Sequence, residues 1–121
     1  MMKQVATSIV CLFISAAYGQ ELVTRVSNTT PNCRDGNRAV QRVCLPEGKE
    51  LKTYTYNVVS KAGARADVES IVPVQDRPNC VELTTVVQPN GEDCIRLPLG
   101  QSVCNCKGRG WLELEVHLTP K

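Results

Sequence analysis

The cleanest pattern in the chain lies near its end, where Leu112, Leu114, Val116 and Leu118 alternate with Glu113, Glu115, His117 and Thr119. A period of two sends successive side chains to opposite faces of a pleated strand, so this segment predicts one buried face and one wet face. Earlier segments carry the same signature less cleanly. Ala39 to Leu45, Leu51 to Ser60, Asp67 to Gln75, Val81 to Gln88 and Cys94 to Leu99 are rich in Val, Thr, Tyr, Ile and Leu, the residues that suit a pleated surface. Turn chemistry separates them: Pro46 to Lys49, the loop around Gly63, Asp76 to Asn79, and Pro89 to Asp93. Pro73 marks Asp67 to Gln75 as an edge strand or a bend. Asn90-Gly91 is a strong hairpin dipeptide, with Cys94 to Leu99 as its expected return strand. No segment sustains an apolar period of 3.6 residues. The predicted class is all-β: a small disulfide-rich domain of five to seven short antiparallel strands.

The first residues follow another rule. Lys3 precedes an apolar run from Val5 to Ala17, and Ala17-Tyr18-Gly19 places small residues at the −3 and −1 positions of a cleavage site. The run is broken by Thr7, Ser8 and Ser15, short of the about 20 apolar residues a membrane span needs. Residues 1–19 therefore read as an export signal, 20–32 as a polar N-terminal arm that is flexible or adds a strand, and 33–121 as the β domain. No later run is long enough to cross a bilayer, so the expected product is secreted, extracellular and not inserted in a membrane. Asn28-Thr29-Thr30 within the arm is an N-glycosylation sequon, with Asn28 as the acceptor.

Export changes the meaning of the cysteines. The chain has seven, and removing the signal takes Cys11 with it. Cys33, Cys44, Cys80, Cys94, Cys104 and Cys106 remain, an even set that predicts three disulfides in an oxidising compartment. Six cysteines allow fifteen pairings, and spacing alone does not choose among them. It does discount one. Cys104 and Cys106 leave the same face of an extended strand about 6.5–7 Å apart, whereas bonded cysteines bring their Cβ atoms to about 4 Å. Those two are expected to bond to different partners.

Little points to catalysis. His117 is the single histidine and falls on the wet face of its strand. There is no Gly-x-Ser-x-Gly elbow, no pair of C-x₂-C ligand sets, and no phosphate-cradling glycine loop. Glu113 and Glu115 share a strand face at a spacing that acid–base work on sugars can use, but a solvated stripe explains them more simply. The sequence thus leads us to expect no enzyme, no cofactor and no metal.

Charge suggests a contact surface instead. Between Arg25 and Arg65 eight basic residues face three acidic ones; between Ala66 and Cys106 two face six. Arg34, Arg38, Arg42, Lys49 and Lys52 form a candidate basic face, matched to an acidic receptor surface or a sulfated glycan. The near-neutral total of +2 and the five aromatics, only three of them beyond the signal, argue against nucleic acid. Lys107-Gly108-Arg109-Gly110-Trp111 adds a second candidate, a mobile basic loop anchored at the C-x-C pair, because Trp and Arg are frequent interface hot spots.

Cys104-Asn105-Cys106 near the end of an exported, hairpin-rich chain resembles the ending of cystine-knot growth factors and related cytokines, and Arg77 to Leu83 is similar to a strand start in the platelet-derived and vascular endothelial growth factor group. The similarity covers about 30 residues, and the C-x-G-x-C segment of that family is missing. It implies a C-x-C strand serving two partners and a ligand-like, non-catalytic role. The expected function is a secreted binding protein, cytokine-like or toxin-like, that acts on an extracellular protein. An inhibitor of an extracellular protease or immune factor, working through a disulfide-held loop such as Asp76–Cys80 or Pro89–Cys94, is the alternative.

Only Tyr54, Tyr56 and Trp111 remain as large anchors after the signal, so crosslinks are expected to supply much of the stability margin, at about 2–4 kcal/mol each. The oxidised protein should melt cooperatively and be largely unfolded in dithiothreitol; superimposable melts in the two conditions would contradict this.

Overall fold

The structure, a computed structural model, describes residues 20–121; the expected signal and Cys11 lie outside them. Eight strands follow one another: β1 (Leu22–Thr29), β2 (Asn37–Cys44), β3 (Leu51–Ala62), β4 (Arg65–Val74), β5 (Arg77–Gln88), β6 (Gly91–Arg96), β7 (Ser102–Gly108) and β8 (Trp111–Pro120). All pairings are antiparallel. The all-β disulfide-rich class holds, with more strands than the five to seven expected.

Two three-stranded sheets, β1-β8-β3 and β2-β5-β4, pack face to face. The central strand of each carries the core. The even-numbered residues Leu112 to Leu118 of β8 are at most 1 % exposed, and Val81, Leu83, Thr85 and Val87 of β5 likewise. Val26, Val43, Leu45 and Ala66 close the sides. The alternation read in β8 is thus the inner and outer face of a central strand, bonded along both edges.

The polar arm takes the strand-adding of its two expected forms: β1 pairs with β8 from Leu22↔Leu118 to Thr29↔Trp111. Its inward positions end in Asn28 and Thr30, polar residues that hide the alternation. Two differences from the sequence reading have physical causes. β5 begins at Arg77, so Pro78 stands inside its first turn of pleat rather than in a break. The second is the larger. Asn90-Gly91 does not fold Cys94 to Leu99 back onto β5, because both edges of β5 are already taken by β2 and β4. Gly91, at φ 92°, redirects the chain out of the sandwich into a separate hairpin of β6 and β7. Pro73 does sit on an edge strand, β4.

The bridges are Cys33–Cys106, Cys44–Cys80 and Cys94–Cys104. Cys104 and Cys106 serve different partners, as strand geometry requires. Numbered along the chain the pairing is first to sixth, second to third, fourth to fifth. The bridges are nested, and no bridge crosses another as the ring and thread of a knot would. Cys44 and Cys80 face each other within one sheet, as do Cys94 and Cys104 within the hairpin. Cys33–Cys106 ties the segment after β1 to β7.

None of the three joins the two sheets of the sandwich. What holds one sheet against the other is the apolar interior. The bridges act on the unfolded chain, by about 4 kcal/mol for separations of 73 and 36 residues and about 3 kcal/mol for 10. Replacing Leu114 by Ala should therefore destabilise the oxidised protein by about 2–5 kcal/mol in urea unfolding, since it opens a cavity between the two central strands.

Candidate functional site

The β6–β7 hairpin stands apart from the sandwich. Every residue from Asp93 to Lys107 is exposed. Its root is fixed: Asn90 N donates to Gly108 O at 2.9 Å, and Cys33–Cys106 pins β7 to the segment following β1. Cys94–Cys104 braces it halfway. Beyond the brace the chain turns through Leu97 to Gln101, closed by a hydrogen bond from Leu97 N to Gln101 O at 2.7 Å.

The tip is apolar. Ile95 and Val103 face each other across the ladder and are 61 % and 42 % exposed; Leu99 is 99 % exposed. Leu99 also adopts φ 73°, the left-handed region that a branched side chain rarely occupies, and is the one non-glycine residue to do so among those described. Such strain persists only where the surrounding structure enforces it, and it gathers at binding and switching sites. Here the flanking Pro98 and Gly100 fix the turn, and Leu99 points wholly into water.

The predicted basic face has a different character. Arg38 is ion-paired to Glu69, Arg42 to Glu82 at 3.4 Å, and Arg34 to Glu92 at 3.7 Å. Each cation meets a carboxylate remote in sequence, Glu82 directly across the β2–β5 ladder from Arg42, so the three do not form a free positive patch. Exposed pairs of this kind contribute little stability; their effect is to neutralise the surface. In the second candidate, Lys107 pairs with Asp93 at 3.6 Å. The loop is also pinned: Thr30 N donates to Gly110 O at 2.9 Å, and Gly110 N to Thr30 Oγ1 at 3.0 Å. A Cβ on Gly110 would lie 2.7 Å from Gln88 O, which is why this buried connector is glycine. The loop is therefore not the mobile element expected. Arg109 stays exposed, and Trp111, 44 % exposed, donates its Nε1–H to Ser60 Oγ at 2.9 Å.

Trp111, Glu113, Glu115 and His117 share the outer face of β8. One guanidinium holds both carboxylates: Arg25 reaches Glu113 Oε2 at 2.8 Å and Glu115 Oε2 at 3.4 Å. Hydrogen bonding to Glu113 raises the Arg25 pKa above its ordinary value, against an opposing desolvation. His117 is held on both sides, Nδ1 against Glu21 Oε1 and Nε2 against Asn57 Oδ1, each at 3.0 Å. These contacts bind the face to itself. Glu92, Cys94 and Cys104 are close enough to surround an ion, but both sulfurs are used in a disulfide and offer no thiolate.

Asn28 requires a correction. It is 5 % exposed, donates Nδ2–H to Thr85 Oγ1 at 3.0 Å, and accepts at Oδ1 from Asn37 Nδ2 at 2.8 Å. These bonds join β1 to β2 and β5 across the sandwich and leave no room for a sugar. Expressed with its signal in a glycosylating host, the protein should show no mass change after peptide-N-glycosidase treatment.

No helix among the described residues is long and apolar enough to cross a membrane. Comparison with protein-family models, with curated proteins and with solved structures finds no match to this chain, so the hairpin is understood from its own geometry.

Proposed function

We propose that the chain is a secreted, non-catalytic binding protein that engages an extracellular protein through the tip of the β6–β7 hairpin. The observation that carries this reading is Leu99: a leucine held at positive φ, fully in water, on a hairpin braced twice by disulfides. Burying a leucine side chain releases about 1.5–3 kcal/mol, and a rigid hairpin loses little entropy on docking. The matching partner surface is an apolar socket. Arg96, just behind the tip, favours a carboxylate at the socket's rim.

The ion pairs of Arg34, Arg38 and Arg42 weigh against a sulfated glycan as partner. The same hairpin favours the second reading, an inhibitor with a pre-formed loop. That loop is Leu97 to Gln101, rather than Asp76–Cys80, which belongs to β5, or Pro89–Cys94, which lies at the hairpin root.

The test compares three immobilised proteins against extracellular fluid and cell surfaces: wild type, Leu99→Asp, and the Arg38→Gln/Arg42→Gln pair. A partner retained by wild type should bind Leu99→Asp more weakly by about 2 kcal/mol or more, about thirtyfold, and bind the arginine variant unchanged. Equal retention by wild type and Leu99→Asp would refute the hairpin reading. Inhibition of an extracellular protease that Leu99→Asp loses would select the inhibitor.

A further inference from the structure

The outer edge of β6 is unpaired, since β6 and β7 form a sheet of two. Leu97 N–H points inward, to Gln101 O. Backbone groups alternate in direction along an antiparallel ladder, so the N–H and C=O of Arg96 and of Cys94 point outward, to the open edge. Arg96 ends the strand, and Leu97 continues it in extended form. The Arg96 side chain is exposed, and among the described residues no carboxylate pairs with it; Arg34, Arg38, Arg42 and Lys107 each have one. The Arg96–Leu97 bond also lies within two bridges at once, Cys33–Cys106 and Cys94–Cys104. An exposed, extended peptide with an unpaired cation is thus offered edge-on, and both sides of its bond stay tethered if it is cut.

With the hairpin as the contact element, on which this rests, we propose that its partner is a serine protease whose specificity pocket holds a carboxylate. The hairpin inhibits that protease as a substrate whose cut bond reseals. Such an enzyme takes the chain preceding the cut as an added antiparallel strand, and the outward backbone groups of Cys94 and Arg96 supply it. Arg96 enters the pocket, where its charge meets the carboxylate out of water. The serine Oγ attacks the Arg96 carbonyl carbon, the bond to Leu97 breaks, and the protease histidine passes the serine proton to the Leu97 nitrogen. From a linear peptide the new amine diffuses away, and water completes hydrolysis. Here the Leu97 nitrogen keeps Gln101 O as its acceptor, and the two bridges hold it beside the acyl group at high effective concentration. The amine attacks the acyl carbon, restores the peptide bond and returns the proton through the histidine to the serine. Leu99, at φ 73°, departs from the extended form that the cleft reads, so it serves as an apolar contact beyond the bond rather than as the residue in the pocket.

Hydrolysis of a small chromogenic arginine substrate by trypsin in the presence of the oxidised protein tests this, with elastase as the control and circular dichroism as the check on folding. Wild type should inhibit trypsin and spare elastase. Arg96→Gln should weaken inhibition by about thirtyfold or more, Arg96→Lys should keep most of it, and the Arg38→Gln/Arg42→Gln pair should change nothing. Protein cut by trace trypsin should give two fragments after reduction, one ending at Arg96 and one starting at Leu97. Isolated cut protein returned to trypsin should regain part of the intact bond, which an ordinary substrate does not do. Trypsin left fully active by wild type, inhibition indifferent to Arg96→Gln, inhibition of elastase instead, or complete cleavage without resealing would overturn the proposal. The hairpin as a contact element fails separately, on equal retention of wild type and Leu99→Asp, because a partner that distinguishes those two need not be a protease.

Discussion

The apposition of two central strands, β5 and β8, is the constraint on which the molecule depends. Each is bonded along both edges and contributes a row of fully buried side chains, Val81 to Val87 against Leu112 to Leu118. A domain the size of residues 20–121 buries only some 60–68 % of its unfolded surface, and this one has few aromatics with which to do it. Concentrating burial in two strands solves the problem with aliphatic side chains of moderate size. It also fixes what remains free. With both neighbours of β5 and of β8 occupied, the segment between them pairs with neither central strand and folds on itself outside the sandwich.

Covalent and non-covalent stabilisation are divided accordingly. The interior holds sheet to sheet, and no bridge duplicates that work. Cys44–Cys80 reinforces a ladder already formed, while Cys33–Cys106 and Cys94–Cys104 serve the one element that packs against nothing. A two-stranded hairpin alone is marginal in water, so an exposed tip of defined shape needs such support. In the proposed function the sulfur chemistry thus stabilises a contact shape as well as the fold.

Much of the fold was legible along the chain because period-two patterning survives wherever one face is buried and the other wet. β8 declared itself, and the spacing of Cys104 and Cys106 excluded their mutual bond. β1 read only as an arm that is flexible or adds a strand, because its inward positions end in Asn28 and Thr30, whose hydrogen bonds form once Asn37, Thr85 and Gly110 are beside them. The bonds of Asn28 turn the acceptor of an expected surface sequon into an interior residue. The ion pairs of Arg34, Arg38 and Arg42 were hidden for a related reason: Glu69, Glu82 and Glu92 are remote in sequence from the arginines they meet. Leu97 and Leu99 were read as the end of a strand, since apolar residues in a short run give no sign of whether they turn inward or out. The Asn-Gly dipeptide did mark a change of direction, but which strand the chain would meet afterwards depended on edges already claimed elsewhere.

Asn90 and Gly108 meet at one hydrogen bond, and the chain leaves and re-enters the body at that doorway. Between them the covalent tie to the body is Cys33–Cys106. A tip of another length or chemistry beyond the Cys94–Cys104 brace touches no buried position, so the surface offered to a target is free to change while the interior stays as it is.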